Sequence, residues 1–173
     1  MALLRQRLLC PAGELTLRHA APADRPFLRA LYATTRKEEL ALTGWDAEQR
    51  TAFLDEQFRL QQHGYAERFP GGEHLVVLLD GRSVGTLWID ASESQVYGVD
   101  VALLPECRSL GVGAALVGEM IACGDASGRP VRFMVEAGNG RARGLYERLG
   151  FTIARETGTH VLMEREAGQA PTR

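Results

Sequence analysis

Residues 108–114, which read Arg-Ser-Leu-Gly-Val-Gly-Ala, constrain the possible folds of this chain more than any other stretch. They follow an apolar run at residues 96–104 and lead into a helical pattern of apolar residues that continues to about Ser127. A strand therefore ends, turns through Pro105 and passes into a helix that begins with two glycines. A strand joined to a helix in this way predicts an α/β fold.

The start of this helix has the properties of an anion-binding site. The first backbone N–H groups of a helix have no partner inside the helix, and the helix dipole makes that end attractive to anions. Gly111 and Gly113 carry no side chain that would keep a ligand away from the backbone. Arg108 adds a fixed positive charge with a planar set of donors that suits phosphate oxygens. The stretch therefore indicates a binding site for a pyrophosphate.

Two glycines at a helix start can also arise without a pyrophosphate. A tight turn alone would place a Gly-x-Gly there. A dinucleotide-binding motif requires Gly-x-Gly-x-x-Gly directly after a strand, but the third position here is Leu116 and seven residues separate Leu103 from Gly111. Glu136 lies at the distance of that motif's acidic residue, so this alternative stays open at this point. A nucleoside-triphosphate loop is excluded, because no Gly-Lys-Ser/Thr is present.

Size, charge and cysteine content limit the class of protein. A chain of 173 residues is expected to form one domain with a sizeable core. With a net charge of −2 the chain lacks the excess of positive charge that is typical of nucleic-acid-binding proteins. No apolar run approaches the ~20 residues that span a bilayer. We therefore expect neither nucleic acid nor a membrane as a partner. Cys10, Cys107 and Cys123 are odd in number and share no metal spacing, which predicts a reduced, cytoplasmic protein without disulfides or metal.

The hydrophobic pattern predicts seven strands and four helices. The strands are expected at residues 15–19, 74–79, 82–89, 96–103, 131–135, 151–155 and 160–164, and the helices at 24–36, 46–64, 111–127 and 139–149. This order predicts a mixed sheet that is antiparallel in its first half and crosses over through the glycine-led helix. Residues 37–45 mix acidic and large apolar residues, and residues 65–72 are predicted to be a loop.

The ends of the chain are expected to lie outside the packed core. Residues 1–13 end in Pro-Ala-Gly and are predicted to be a flexible extension. Residues 14–166 are predicted to form a single domain, and residues 167–173 a disordered tail.

A second motif lies near the C-terminus, and it identifies a family. It consists of Asn139, Ala142, Leu145, Tyr146, Gly150 and Phe151. With Arg108-x-x-Gly111-x-Gly113, the chain resembles the GNAT superfamily of acetyl-CoA-dependent N-acetyltransferases, whose motifs are Gln/Arg-x-x-Gly-x-Gly/Ala and Asn-x-x-Ala-x-x-Leu-Tyr followed by Gly-Phe. The resemblance covers residues 15–164 and removes the dinucleotide alternative. It implies a mixed, mostly antiparallel seven-stranded sheet with a splayed central strand and helices on both faces.

The resemblance also implies how acetyl-CoA, the acyl donor, is bound. In the family the pyrophosphate rests on backbone amides that correspond to Arg108, Ser109, Leu110, Gly111, Val112, Gly113 and Ala114. The pantetheine arm lies along the splayed strand, which corresponds to Val101, Ala102 and Leu103. Asn139 matches a residue that commonly touches the cofactor, and Tyr146 brings its hydroxyl toward the cofactor's sulfur.

Direct acyl transfer from a thioester to an amine requires proton transfers at both ends of the reaction. The departing sulfur is best protonated, and the resemblance makes Tyr146 the candidate general acid. The alternative is a tyrosine that anchors the last helix to the sheet. A backbone N–H of the splayed strand can stabilise the negative charge that develops on the carbonyl oxygen.

The general base is less evident in the sequence. Glutamates that serve in branches of the family correspond here to Tyr97 and Met134, so neither carboxylate is present. Asp100 matches an aspartate of aminoglycoside-modifying relatives and is a candidate for catalysis or amine binding, the alternative being an acid paired with a neighbour. Glu38 and Glu39 lie in a segment that commonly lines the acceptor site in the family, although a solvated loop would also explain them. A chain of water molecules could also replace a single base.

Several aromatic residues and the histidines receive no firm role from the sequence. Trp45, Tyr65 and Phe69 are either walls of the acceptor pocket or anchors of the core and loops. The histidines form no cluster and are assigned no function.

We therefore expect an N-acetyltransferase that moves an acetyl group from acetyl-CoA directly to an amine. Acids near Glu38 and Asp100 favour a small cationic primary amine, while a protein N-terminus or a lysine stays open. The alternative is a non-catalytic module that binds an acyl-CoA and reports it to a partner. The sequence leaves open whether the chain forms a homodimer.

Overall fold

A computed structural model describes residues 4–169, and this part of the chain contains eight strands and five helices. The strands are β1 (Arg7–Cys10), β2 (Gly13–His19), β3 (Glu73–Leu79), β4 (Arg82–Ala91), β5 (Val96–Leu103), β6 (Val131–Glu136), β7 (Thr152–Glu156) and β8 (His160–Arg165). The helices are α1 (Arg25–Thr35), α2 (Lys37–Ala41), α3 (Ala47–Arg68), α4 (Val112–Ser127) and α5 (Gly140–Arg148).

These eight strands form one sheet in the order β1-β2-β3-β4-β5-β6-β8-β7. Only the β5–β6 pair is parallel among the described strands, since the chain crosses over between them through α4. The α/β class and the mixed, mostly antiparallel sheet are therefore confirmed.

The strand count differs from the expected seven because residues 7–10 are not a loose extension. They pair antiparallel with β2, from Arg7 opposite Thr16 to Cys10 opposite Gly13. The Pro-Ala-Gly stretch is thus part of a hairpin whose connection is two residues long. The first three residues lie outside the described part of the chain.

Helical structure extends further than the sequence pattern predicted. Residues 37–41 form α2, and α3 continues to Arg68, so residues 65–68 are helical instead of part of a loop. Gly64 does not end α3, because a glycine inside a helix costs only ~1 kcal/mol and Tyr65 packs on Trp88 with ring centroids 5.3 Å apart. Asp46 begins α3 as predicted, with its carboxylate accepting from the N–H of Gln49 at 2.8 Å.

The start of the predicted disordered tail is held to α4. The N–H of Gly168 donates to the carboxylate of Asp125 at 2.7 Å, and Arg165 pairs with the same carboxylate at 2.9 Å. Residues 170–173 of that tail lie outside the described residues.

Helices cover both faces of the sheet. Val76 of β3 belongs to a buried cluster with residues of α1 and α3, whereas its neighbours Leu75 and Val77 belong to a cluster with residues of α4 and α5. Because successive residues of a strand point to opposite faces, α1–α3 lie on one face and α4 and α5 on the other.

The parallel pair separates halfway along β5. Its pairing ends at Gly98 opposite Phe133, and residues 99–103 have no partner on that side among the described strands. A Cβ on Gly98 would stand only 2.0 Å from the ring of Phe133, so this ring lies against the bare backbone where the two strands part. On the other side of β5 the register shifts, which leaves Val99 as a bulge. The splayed central strand is thus confirmed.

Candidate active site

A cavity of about 490 Å³ lies at the gap between β5 and β6. Its walls include seven of the predicted catalytic and binding residues, namely Glu38, Glu39, Asp100, Val101, Ala102, Asn139 and Tyr146, whereas Leu103 and residues 108–114 are not among the lining residues. The walls also include residues of α1, α3, β3 and β4, so both faces of the sheet open into one space.

The unpaired half of β5 offers backbone groups to this gap. The N–H of Leu104 donates to the carbonyl of Val84 at 2.9 Å. In an antiparallel pair every second residue directs its N–H and C=O toward the partner strand, so Ala102, two residues before Leu104, directs its backbone groups toward β4. Val101 and Leu103 then point their backbone groups toward the gap. The carbonyl of Leu103 accepts from the Nε of Arg108 at 3.0 Å, which ties that side chain to the strand.

Residues 108–111, here called the glycine loop, enter α4 with an unusual backbone. Ser109 and Gly111 have positive φ angles of 65° and 86°. Within residues 4–169, the N–H groups of residues 109–114 have no protein acceptor. A Cβ on Gly113 would lie 3.4 Å from Leu145, an ordinary contact. These unpaired amides at the start of α4 form a helix end that suits an anion.

Arg141 is a part of this site that the sequence reasoning missed. Its guanidinium donates to the hydroxyl of Ser109 at 2.7 Å, which brings a second cation to the glycine loop. Arg141 lies in the first turn of α5, where the helix dipole disfavours a cation. A basic residue two positions after Asn139, in that unfavourable place, was the signal available in the sequence.

Asn139 caps the helix that carries Tyr146. Its side-chain oxygen accepts from the N–H of Ala142 at 3.1 Å, so the residue has a structural role at the start of α5. Its contact with the cofactor stays a prediction.

Tyr146 is buried against two phenylalanines at the edge of the gap. Its ring stacks on Phe133 with centroids 4.4 Å apart and lies 5.6 Å from the ring of Phe151. Burial raises the pKa of the Tyr146 hydroxyl, and the charge of Asp100 raises it further. The hydroxyl therefore keeps its proton at neutral pH, as a general acid must.

Asp100 faces the same cavity from the opposite side of the sheet. Directly opposed residues on antiparallel strands share a face, and His74, Trp88 and Asp100 are opposed in turn across β3, β4 and β5. Burial raises the pKa of the Asp100 carboxyl to about 6, while the N–H of Val101 and the charge of Arg36 lower this pKa by smaller amounts. Among the described residues Asp100 has no ion-pair partner within 4.0 Å, so the alternative of a paired acid is not observed.

Glu38 and Glu39 lie in the first turn of α2 at the mouth of the cavity. Glu39 pairs with Arg36 at 3.2 Å, and both acids are exposed. The Nε of Arg36 also contacts the hydroxyl of Tyr32 at 3.3 Å. In the described part of the chain four acids line this cavity, since Glu136 joins Glu38, Glu39 and Asp100, while Arg36 is its one arginine or lysine.

Of the three aromatic residues left open, only Tyr65 is among the cavity walls that the structure describes. Trp45 packs on Phe53 with centroids 5.1 Å apart, and Phe69 stacks on Tyr97 at 5.6 Å. Burial raises the pKa of Tyr65, and the charge of Asp100 adds to this.

His74, which received no role from the sequence, also lines the cavity. The hydroxyl of Thr86 donates its single proton to the carbonyl of Leu75 at 3.0 Å, so the Nε2 of His74, 2.9 Å away, must be the donor to that hydroxyl. Burial lowers the pKa of His74, which keeps the ring neutral with Nδ1 as its basic nitrogen.

Two further observations concern all of the described residues. No helix within residues 4–169 is long and apolar enough to cross a membrane. That same part of the chain contains no group of three or more His, Cys, Asp or Glu side chains placed to hold a metal ion. A cytoplasmic location and a homodimer stay predictions.

A splayed strand, an open helix end and a cavity that joins the two faces of the sheet are the features that the resemblance to the GNAT superfamily implies, and the comparisons with known proteins agree. Residues 34–151 match the model of the acetyltransferase (GNAT) family. The chain therefore belongs to this family, whose members are acyltransferases that take the acetyl group from acetyl-CoA. This membership gives no support to a non-catalytic sensor. A comparison with curated protein sequences gives no match.

Solved structures share the fold at low sequence identity. An acetyltransferase from Thermus thermophilus matches with a TM-score of 0.66 and 18% identity, covering 91% of this chain and 99% of that one. The PaiA N-acetyltransferase from Thermoplasma acidophilum, solved in complex with coenzyme A, has a TM-score of 0.64 and 14% identity over 88% and 98%. RimJ from Mycobacterium smegmatis, solved in complex with CoA-disulfide, has a TM-score of 0.62 and 20% identity, covering 96% of this chain and 88% of RimJ.

Proposed function

We propose that this acetyltransferase moves the acetyl group directly to the nitrogen of a small cationic primary amine. The observation that carries the proposal is the cavity at the β5–β6 gap, which joins Tyr146 on one side to Asp100, Glu38 and Glu39 on the other. An excess of carboxylates in a confined space lowers the energy of a bound cation.

Coenzyme A fits the described groups on the α4 side of the gap. The open amides of residues 109–114, with Arg108 and Arg141 beside them, would hold its diphosphate. The gap-facing backbone of Val101 and Leu103 would hold the pantetheine arm, and the side chain of Ala102 would line its path. The PaiA N-acetyltransferase, which shares this fold, was solved in complex with coenzyme A, and this supports coenzyme A as the ligand.

Asp100 would act on the amine. With a pKa of about 6 it is ionised at neutral pH and can hold the ammonium form near the gap. The bound ammonium must first release one proton to solvent, because only the neutral amine has the lone pair that attacks. As the N–C bond forms and the remaining N–H groups become acidic, the Asp100 carboxylate can accept the second proton. Glu38 and Glu39 would contribute to the attraction at the cavity mouth.

Tyr146 would act on the departing group. The N–C bond forms as the C–S bond breaks, and the sulfur leaves as a thiolate that requires a proton. The buried Tyr146 hydroxyl is protonated at neutral pH and would supply it. A gap-facing N–H of β5 would stabilise the carbonyl oxygen as charge develops.

A panel of matched amines tests the acceptor class. Thiol release from acetyl-CoA would be followed with a short diamine, with its analogues bearing a hydroxyl or a carboxylate in place of the second amino group, and with peptides offering an N-terminus or a lysine. The proposal expects kcat/KM to fall from the diamine to the hydroxyl analogue to the carboxylate analogue. Release with the peptides alone would contradict it.

A further inference from the structure

We propose that residues 4–13, here called the N-terminal segment, position the glycine loop for coenzyme A, with Pro11 and Arg5 as positioning residues. The inference rests on the proposed contact between this loop and the diphosphate. It assigns a function to a part of the chain that neither motif includes. Its support comes from contacts at both the loop and the helix that follows.

The first contact is between Pro11 and Gly111. A Cβ on Gly111 would stand 2.6 Å from the Cδ of Pro11 and 3.0 Å from its Cγ. Gly111 has a φ of 86°, the left-handed conformation through which the loop turns into α4. The stiff ring of Pro11 therefore blocks a displacement of Gly111 toward the N-terminal segment.

The second contact joins Arg5 to Glu119 of α4. The backbone N–H of Arg5 donates to one carboxylate oxygen of Glu119 at 2.9 Å. The guanidinium of Arg5 approaches the other oxygen with two nitrogens, at 2.8 and 2.6 Å. Glu119 is only 6% exposed, so its carboxylate depends on these charge-assisted bonds, which Arg5 supplies from the surface with a side chain that is 73% exposed.

The same segment is fixed to the rest of the fold. Leu4 is 5% exposed within the main buried cluster. The carbonyl of Gln6 accepts from the N–H of Leu17 at 2.8 Å, and the carboxylate of Asp80 accepts from the N–H of Glu14 at 3.0 Å. The segment is therefore anchored at both of its ends.

Together the two contacts control the direction of the open amides. Pro11 touches the residue before α4, and Glu119 lies about two turns further along the helix. A segment that holds a helix at two points along its length limits both its tilt and the movement of its first turn. The amides of residues 109–114 would then stay aimed at the β5–β6 gap before coenzyme A arrives, which lowers the entropic cost of binding.

Coenzyme A alone, without any amine, is the probe for this proposal. Titration calorimetry would compare the wild type with Pro11→Ala, which lacks the ring atoms that touch Gly111, and with Arg5→Ala. The expected result is a Kd about fivefold or more higher in both variants. In the assay, KM for acetyl-CoA should rise while kcat and the amine's KM stay unchanged. Arg59→Ala is the matched control, because it removes an ion pair of similar length, 2.7 Å, on the distant surface of α3.

A purely structural role would lower Tm in the two variants and leave the Kd for coenzyme A unchanged, and that result would overturn the proposal. Hydrogen exchange on the wild type gives a second readout that no variant can confound by misfolding. Since coupling is reciprocal, coenzyme A should slow exchange in β1 more than in β7; equal slowing in both strands would also overturn it. If the wild type did not bind coenzyme A, the assignment of the glycine loop would fail instead.

Discussion

The ring of Phe133 stacks on the ring of Tyr146, with centroids 4.4 Å apart and planes inclined by 14°. The Phe133 ring also lies against Gly98, the last residue of β5 that pairs with β6. One aromatic ring therefore both marks the point where the strands separate and supports the candidate general acid. The position of the Tyr146 hydroxyl thus depends on a glycine that the motifs do not contain.

Gly98→Ala should reduce turnover by displacing this stack. A Cβ at this position would stand 2.0 Å from Phe133, so the ring must move, which we expect to cost about 1–3 kcal/mol of stability. We expect kcat to fall more than tenfold with a small change in the Kd for coenzyme A. Gly118→Ala is the control, because a Cβ there meets nothing within 4 Å. Equal kcat in the two variants would mean that the stack does not position Tyr146.

Tyr146→Phe should impair the chemical step and spare the fold. The ring stays packed on Phe133 while the proton donor is lost, and general acids typically contribute about 10²–10⁴-fold. We expect kcat to fall about 100-fold, with the Kd for coenzyme A and Tm close to those of the wild type. Steady-state kinetics and calorimetry check this. Full activity would leave Tyr146 as an anchor of α5.

Gly111 and Gly113 should respond differently to the same substitution. Alanine at position 111 would need an unfavourable φ of 86° and would collide with Pro11, whereas alanine at position 113 finds an ordinary contact at 3.4 Å. We expect Gly111→Ala to weaken coenzyme A binding about tenfold or more and Gly113→Ala to change it little. Titration of both variants with coenzyme A distinguishes the two glycines. A similar loss in both would show that bare backbone, and not loop geometry, is what the ligand needs.

The parts of the fold that the sequence predicted well have strong local signals. Gly111 and Gly113 follow a strand, and the residues from Asn139 to Phe151 keep a fixed spacing, so the crossover and the splayed strand could be predicted from motifs. β1 could not, because it has four residues and an alternating but half-exposed pattern next to a Pro-Ala-Gly stretch. The strand is stabilised by pairing with β2, which follows the turn, and this pairing is not visible in the pattern of β1 itself.

The composition of the cavity was harder to predict because it depends on register. His74 and Asp100 lie on the same face of the sheet because each is opposite Trp88 in the neighbouring strand. The register of β4 and β5 shifts beside Trp88, and this shift changes which residues of β5 face the helices. Arg36 enters the cavity because α1 ends there and α2 begins at the next residue, a turn that the pattern of residues 37–45 did not indicate. Pairwise contacts of this kind leave no trace in the spacing of a single sequence.

Activity should depend on the ionisation of Asp100. Its pKa of about 6 means that the carboxylate form, which holds a cation and accepts a proton, increases as the pH rises through 6. We therefore expect kcat/KM for the amine to rise across this range in the wild type. In Asp100→Asn this inflection should disappear and kcat/KM should be lower at every pH above 6. An unchanged pH profile in the variant would assign the proton transfer to another group, with His74 the next candidate.

The same residue should reduce the stability of the folded protein at neutral and alkaline pH. The Asp100 carboxyl has a pKa of about 6 when folded and 3.8 as an isolated group, so the folded state binds more protons between these values and stability falls as the pH rises through them. Two pKa units correspond to about 3 kcal/mol. Asp100→Asn, which is neutral and of the same shape, should therefore stabilise the protein by roughly 2–3 kcal/mol at pH 8, and this gain should vanish near pH 4. Urea unfolding of both proteins at the two pH values measures the difference, and a gain that is equal at both would show that the buried charge is not its cause.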